Sequence, residues 1–229
     1  TLTTPHHLGM KFDAIVSNPP YSKSWPGKNN TILINDVRYS PAGVLAPIQR
    51  SDLAFTMHML YHLSETGTCA IVEFPGVLYR GGAEKKIREY LIKNNFVDTV
   101  IQLPANLFFG VGIATCIIVI KKNKKDNNIL FVDASEEYEK KGDKNKLEDK
   151  NQNRIVNAYQ ERKEEQYFTK LVSNDEVLAN GANLSVSSYV EKEDKREVID
   201  IVKLNEEIQT LQAEIFTLNT EIANKIASL

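Results

Sequence analysis

The sequence has little of several features that define common classes of protein. Its two cysteines, Cys69 and Cys116, lie inside apolar runs rather than in paired spacing, which argues against a disulfide scaffold or a zinc site. We expect both to be buried free thiols. No hydrophobic run approaches the roughly 20 residues that span a bilayer, and no signal-peptide pattern is present. We therefore expect no membrane partner and a reducing compartment, the cytoplasm.

Neither sign of charge is in excess. Lys and Arg number 28 against 30 Asp and Glu, which gives a formal net charge of -2 and no global attraction to nucleic acid. Any contact with DNA must use local patches or a partner subunit. His58 and His62 lie four residues apart on a predicted helix, but no third ligand accompanies them. We expect a structural pair and no metal site.

Short apolar runs rich in β-branched residues alternate with amphipathic stretches. Five such runs predict buried strands: residues 12–16, 69–74, 97–103, 114–121 and 129–132. A helix capped by Ser51 and ended by Gly67 is predicted between the first two strands, and a second helix over residues 83–94. This order predicts an α/β fold, the second half of a doubly wound, Rossmann-like sheet that closes with an antiparallel pair.

The tetrapeptide Asn18-Pro19-Pro20-Tyr21 directly follows the first predicted strand. The prolines end the strand, and Pro19 keeps Asn18 extended at its carboxyl end, where open α/β sheets bind ligands. The side-chain oxygen of Asn18 and the carbonyl of Pro19 can accept hydrogen bonds from an exocyclic amine, and Tyr21 can stack on a flat ring. On these residues alone, a simple strand-ending turn is an equally good interpretation.

A long polar segment, residues 22–49, follows this tetrapeptide. Basic and aromatic side chains interleave there, a mixture that suits contact with phosphates and unstacked bases as well as it suits an ordinary solvated loop. They are Lys23, Trp25, Lys28, Arg38, Tyr39 and Arg50.

Charge becomes dense after residue 135, and residues 136–195 are interpreted as a charged connector or helical extension. Residues 196–229 are interpreted as a coiled-coil-like heptad helix for subunit association. Its seam consists of Ile201, Leu204, Ile208, Leu211, Ile215, Leu218, Ile222 and Leu229, with Lys225 as its one polar member. A partner chain, an antiparallel helix of the same chain, or packing on the preceding domain could cover this seam.

Segments between residues 12 and 189 resemble, in order, the modification (methyltransferase) subunits of type I restriction-modification systems. These subunits are adenine-N6 DNA methyltransferases. Residues 12–21 resemble the loop that holds the target base, and residues 52–63 resemble the helix that follows it. Residues 67–91 are similar to the next strand, loop and helix, and residues 103–116 contain the segment Leu-Pro-Ala-Asn-Leu-Phe.

The resemblance implies methyl transfer from S-adenosylmethionine to a flipped adenine in DNA. It assigns catalytic roles to Asn18, Pro19, Pro20 and Tyr21, with Asn18 also reaching the cofactor. Phe108 or Phe109 is the candidate for a second aromatic contact to the base. The implied partners are DNA, a type I specificity subunit, a second modification subunit and a restriction subunit.

The glycine-rich loop that cradles the cofactor in this family has no counterpart in the sequence, and neither does the acidic residue expected to hold its ribose. We therefore interpret residues 1–135 as the carboxyl-terminal half of a catalytic domain, in a truncated chain that is inactive alone. Two alternatives remain open at this point. The chain could be a non-catalytic module that binds the specificity subunit, or a methyltransferase that acts on RNA or on protein glutamine.

Overall fold

The computed structural model describes residues 1–108, 110, 112–193 and 200–228, which fall into two compact units, Thr1–Lys192 and Glu193–Leu229. The strands of the first unit are β1 (Phe12–Ser17), β2 (Leu63–Glu73), β3 (Val97–Gln102), β4 (Cys116–Lys121), β5 (Asn128–Asp133), β6 (Glu139–Lys141), β7 (Lys144–Lys146) and β8 (Thr169–Ser173). Its α-helices are α1 (Thr31–Ile34), α2 (Asp52–His62), α3 (Ala83–Lys93), α4 (Asp149–Glu161) and α5 (Asn174–Ala179). The second unit contains the helix α6 (Ile201–Ala227).

Six strands form one mixed sheet in the order β1-β2-β4-β3-β5-β8, and β6 and β7 form a separate hairpin. β1, β2, β3 and β5 run in the same direction, while β4 and β8 are antiparallel to their neighbours. The carboxyl ends of the four parallel strands therefore share one edge of the sheet, where Asn18, Phe74, Leu103 and Ala134 follow them. The predicted α/β class is confirmed.

Apolar side chains cover both faces of this sheet. Successive residues of β3, Val100 and Ile101, enter two different buried clusters, as the two-residue period of a strand requires. Helices α2 and α3 supply the larger cluster with residues such as Met57 and Leu91. Ile155 of α4 packs in the smaller cluster.

The prediction that the first strand is buried is wrong, although the strand itself is present. β1 lies at the edge of the sheet and pairs only with β2 among the described residues. Val16 is 87% exposed and Phe12 is 36% exposed. An apolar run indicates that the side chains of a strand need packing partners, but it does not identify those partners.

The predicted helix before β2 ends earlier than expected. Gly67 is not its last residue, because α2 stops at His62 and Gly67 lies inside β2. A Cβ atom at Gly67 would lie 2.9 Å from the carbonyl oxygen of Phe12 and 2.7 Å from Cδ1 of Leu63. Glycine therefore permits the close approach of β1 to β2, which is a role distinct from ending a helix.

The first compact unit extends past the boundary predicted at residue 135. β8 pairs with β5 from Asn128↔Ser173 to Val132↔Thr169, so it completes the main sheet. Ile155 and Phe168 are buried against β3 and β5. The charged segment thus contributes strands and helices to the sheet domain, although some of its apolar residues, such as Val156 and Tyr167, are exposed.

The described part of the second unit contains the helix α6, which has 27 residues. The Asp200 side chain caps its start by accepting hydrogen bonds from the backbone N–H groups of Val202 and Lys203 at 3.0 and 3.1 Å. Seam residues from Ile201 to Ile222 are between 43% and 70% exposed, while Leu229 lies outside the described residues. Among the helices that the structure describes, none combines the length and the apolar character needed to cross a membrane.

Candidate active site

Asn18, Pro19, Pro20 and Tyr21 form a loop, the proline loop, at the carboxyl edge of the parallel strands. Asn18 and Pro20 are exposed, Pro19 is buried, and Tyr21 is half-buried. The Tyr21 hydroxyl donates a hydrogen bond of 2.7 Å to Oδ1 of Asn18. A carbonyl oxygen has two lone pairs, so Oδ1 retains one for a further donor. The hydrogen bond thus links the first and the last of the four residues predicted for the catalytic loop, whose catalytic roles stay a prediction.

The Tyr21 ring rests on Phe74, the residue that follows β2. Their ring centroids lie 5.8 Å apart at an interplanar angle of 43°. Burial raises the pKa of Tyr21, and the charges of Glu73 and Cys116 act in the same direction. The hydroxyl consequently stays protonated at neutral pH and remains the donor that orients the Asn18 amide.

Two buried carboxyl groups lie beneath the proline loop. Oδ1 of Asp52, the first residue of α2, accepts a hydrogen bond of 2.8 Å from the backbone N–H of Ser22. At the end of β2, Oε1 of Glu73 accepts a hydrogen bond of 3.0 Å from the Thr56 hydroxyl. Neither carboxyl was predicted from the sequence to belong to the site. The sequence did contain one signal for this, because Glu73 is an acidic residue inside the apolar run 69–74. A carboxyl group is costly to bury, so its presence in a buried strand points to a specific role.

Glu73 is fully buried, with 0% of its surface exposed. Burial, followed by repulsion from Asp52, raises the pKa of its carboxyl to about 8. Glu73 is therefore protonated and neutral at pH 7. Beside it, the pKa of the Cys116 thiol is also raised well above its usual value by burial.

Of the two aromatic residues predicted for a second base contact, Phe108 is among the described residues. Phe108 follows β3 at the same edge of the sheet, but its half-buried ring packs against the smaller core cluster. Phe109 lies outside the described residues. The role of this aromatic pair stays a prediction.

The predicted polar segment, residues 22–49, and Arg50 directly after it supply fewer accessible basic and aromatic side chains than the sequence suggested. Trp25, Arg38 and Tyr39 are between 1% and 6% exposed, so they are inaccessible for stacking on bases or contacting them. Lys28 and Arg50 line a groove of about 1020 Å³ together with residues 43–49 and Ala83 of α3. The lining of this groove does not include the proline loop.

His58 and His62 stack edge to face, with ring centroids 4.6 Å apart. Nη1 of Arg38 lies 3.0 Å from Nδ1 of His58, and Nδ1 of His62 lies 3.0 Å from the carbonyl oxygen of Met10. Burial, with the charges of His62 and Arg38, lowers the pKa of His58 to about 4, so its imidazole is neutral and accepts from Arg38. Within the described part of the chain, no group of three His, Cys, Asp or Glu side chains is arranged to hold a metal ion.

Comparison with known families gives a match across most of the chain. The model of the N-6 DNA methylase family matches residues 1–198. The type I restriction enzyme MpnII methylase subunit of Mycoplasma pneumoniae is 45% identical over 219 residues, which are 95% of this chain and 40% of that protein. The MjaVII methylase subunit of Methanocaldococcus jannaschii is 33% identical over 93% of this chain and 38% of its own length.

A solved structure extends the likeness to three dimensions. The crystal structure of the type I restriction-modification system methyltransferase subunit from Streptococcus thermophilus matches with a TM-score of 0.78 and 40% identity. The match covers 82% of this chain and 40% of that chain. The chain thus spans about 40% of the length of the relatives that it matches.

Proposed function

Since this chain belongs to the N-6 DNA methylase family, we propose that it is the carboxyl-terminal part of a type I modification subunit that methylates adenine N6 in DNA. The proline loop carries the proposal, because Asn18 and Tyr21 are hydrogen-bonded to each other at the ligand-binding edge of the sheet. The two curated relatives are named methylase subunits of type I restriction enzymes, which supports DNA over RNA or protein glutamine as the substrate.

The proposed chemistry begins with an adenine that has left the duplex, because the target amino group is inaccessible inside the base stack. The remaining lone pair of Asn18 Oδ1 and the carbonyl oxygen of Pro19 accept the two amino hydrogens. These acceptors withdraw the nitrogen lone pair from the ring and make it more nucleophilic. The face of Tyr21 that is not against Phe74 stacks on the base and offsets part of the cost of unstacking it.

S-adenosylmethionine, the methyl donor used by methyltransferases of this kind, would supply an electrophilic methyl group. The residues of this chain can form one side of a binding site for this methyl donor. Asn18 is exposed at the carboxyl end of β1, and the outer edge of β1 has no partner strand among the described residues. The chain would therefore form the part of the pocket between the methyl donor and the target adenine, and Asn18 would contact both.

Replacement of Asn18 by alanine in the complete modification subunit, assembled with its specificity subunit, tests this function. We expect methylation of target DNA to fall to background while DNA binding by the complex is unchanged. The matched control is Asn153→Ala, which removes an exposed amide on α4 and should leave methylation intact. Methylation retained by Asn18→Ala would contradict the proposal.

A second role, subunit association, is favoured by α6. Its seam of exposed apolar side chains, from Ile201 to Ile222, runs for about six turns without a covering surface among the described residues of its own unit. A helix of this kind is stabilised by a partner helix. We propose that the type I specificity subunit covers the seam. The complete complex, with DNA, a second modification subunit and a restriction subunit, would act in the cytoplasm.

Charged substitutions on opposite faces of α6 separate this role from a general effect on the helix. The double variant Ile208→Asp with Ile215→Asp places charge in the seam and should abolish co-purification with the specificity subunit. The control, Ala213→Asp with Thr220→Asp, places the same charges on the opposite face and should preserve association. Equal binding by both variants would show that the seam is not the contact surface.

A further inference from the structure

Asp52 holds the backbone at the point where the chain leaves the proline loop. Its side chain is 1% exposed, and its Oδ1 accepts from the N–H of Ser22, the residue directly after Tyr21. Ser22 has a φ of 49°, in the left-handed region that residues other than glycine seldom adopt. A conformation of this kind persists only where surrounding contacts fix it. The hydrogen bond to Asp52 is such a contact.

Backbone hydrogen bonds fix the following residues but not the proline loop itself. The N–H of Ser51 donates to the carbonyl of Lys23 at 3.0 Å, and the N–H of Trp25 donates to the carbonyl of Ile48 at 2.8 Å. Within the described residues, Asp52 is the one side chain from outside the loop that hydrogen-bonds to the backbone of residues 18–22. It therefore connects the loop to the rigid start of α2.

Glu73 is connected to the same loop through its neighbour in the sequence. It directly precedes Phe74, on which the Tyr21 ring rests, and the Thr56 hydroxyl of α2 holds its Oε1. Oδ2 of Asp52 and Oε2 of Glu73 are both buried without a hydrogen-bond partner in the described part of the chain. Two carboxyl groups in this environment are tolerated because one of them, Glu73, keeps its proton.

We propose that Asp52 is a positioning residue for methyl transfer, which fixes the proline loop through Ser22 so that Asn18 and Tyr21 meet the base in a single geometry. The inference rests on the proposed function. Its physical reason is the sensitivity of transfer reactions to distance, since a displacement of about 1 Å in a positioned group can lower the rate roughly 100-fold. Asp52 also lies in the first turn of α2, where a carboxylate stabilises a helix. The neutral amide of Asp52→Asn lacks that charge but keeps an oxygen that can accept from Ser22, so this variant separates positioning from helix stability.

The test uses the complete modification subunit assembled with its specificity subunit, assayed for kcat and for the KM of target DNA. Asp52→Ala should lower kcat roughly 100-fold and leave the KM for DNA within about threefold, because the loop loses its fixed position while the DNA surface remains. Asp52→Asn should restore most of the activity, since the amide oxygen can accept from Ser22. Asp149→Ala is the matched control, because Asp149 also begins a helix but is exposed.

The outcomes distinguish this inference from the proposed function. If the wild-type complex methylates and Asn18→Ala does not, but Asp52→Ala keeps its kcat, then the positioning role is wrong and the function stands. If the wild-type complex does not methylate DNA, the function itself is wrong. An Asp52→Asn variant as inactive as Asp52→Ala would also overturn the inference. Should Asp52→Ala fail to fold, Asp52→Ser replaces it with the same expected loss, because its short hydroxyl cannot reach Ser22.

Discussion

Replacement of Glu73 by glutamine should remove a large pH dependence from the stability of this chain. The folded protein holds the Glu73 proton up to a pKa of about 8, because the carboxyl is buried beside Asp52. In the unfolded chain the group loses its proton near the ordinary glutamate pKa of 4.5. Between these values the unfolded state binds fewer protons, so the contribution of Glu73 to stability is fully present below pH 4.5 and declines as pH rises toward 8.

The size of the effect follows from the two pKa values. Stability falls by about 1.4 kcal/mol for each pH unit over which only the unfolded chain is ionised, or about 3 kcal/mol between about pH 5 and about pH 7.5. Glutamine does not titrate, and its Oε1 can still accept from Thr56. The stability of Glu73→Gln relative to wild type should therefore rise by about 3 kcal/mol across this range.

Urea unfolding of both proteins across this pH range measures the difference directly. The matched control is Glu65→Gln, which makes the same substitution at an 86% exposed carboxyl on the same strand. A constant difference between Glu73→Gln and wild type would refute the reasoning, because it would mean that Glu73 is ionised in the folded protein.

Three further predictions concern other parts of the chain. Arg38→Ala should destabilise the first unit by about 3 kcal/mol or more in thermal unfolding, because it leaves the Asp36 carboxylate, now 2.7 Å from the guanidinium, without its partner. Since burial raises the pKa of Cys69 to about 12 and raises that of Cys116 as well, alkylation of both thiols should be slow in buffer and fast in urea. Equal rates would show that the thiols are accessible. A chain that ends at Lys192 should keep the melting temperature of the first unit, and a marked decrease would mean that α6 supports it.

Local features of the sequence determined most of the strands and helices. Apolar β-branched runs predicted β1, β2 and β3, and the proline after each strand predicted its end, because a proline cannot continue a ladder. The helix predicted over residues 83–94 corresponds to α3 (Ala83–Lys93), where the 3.6-residue period is clear. The proline loop was predicted for the same reason, since two prolines restrict the backbone of their own residues and of Asn18.

Long-range pairing decided what these patterns could not. β8 pairs with β5 although residues 134–168, a largely charged stretch, separate the two strands. β8 is too short for its sequence pattern to indicate which strand it pairs with. The edge position of β1 left exposed an apolar run that was predicted to be buried. Hydrophobic periodicity indicates which residues of an element are to be buried. The residues that bury them are decided by the fold of the whole chain.

The sequence by itself determined the proline loop, because its geometry follows from the dihedral limits of neighbouring residues. Only the tertiary structure placed Asp52 against Ser22, since this contact joins residues 30 positions apart in the sequence. It also placed Glu73 close enough to Asp52 for the two carboxyl groups to interact. Burial at that point also changes the chemistry of Glu73 from an anion to a neutral acid. Local dihedral preferences thus specify the loop, and the packing of α2 against β2 specifies what holds it in place.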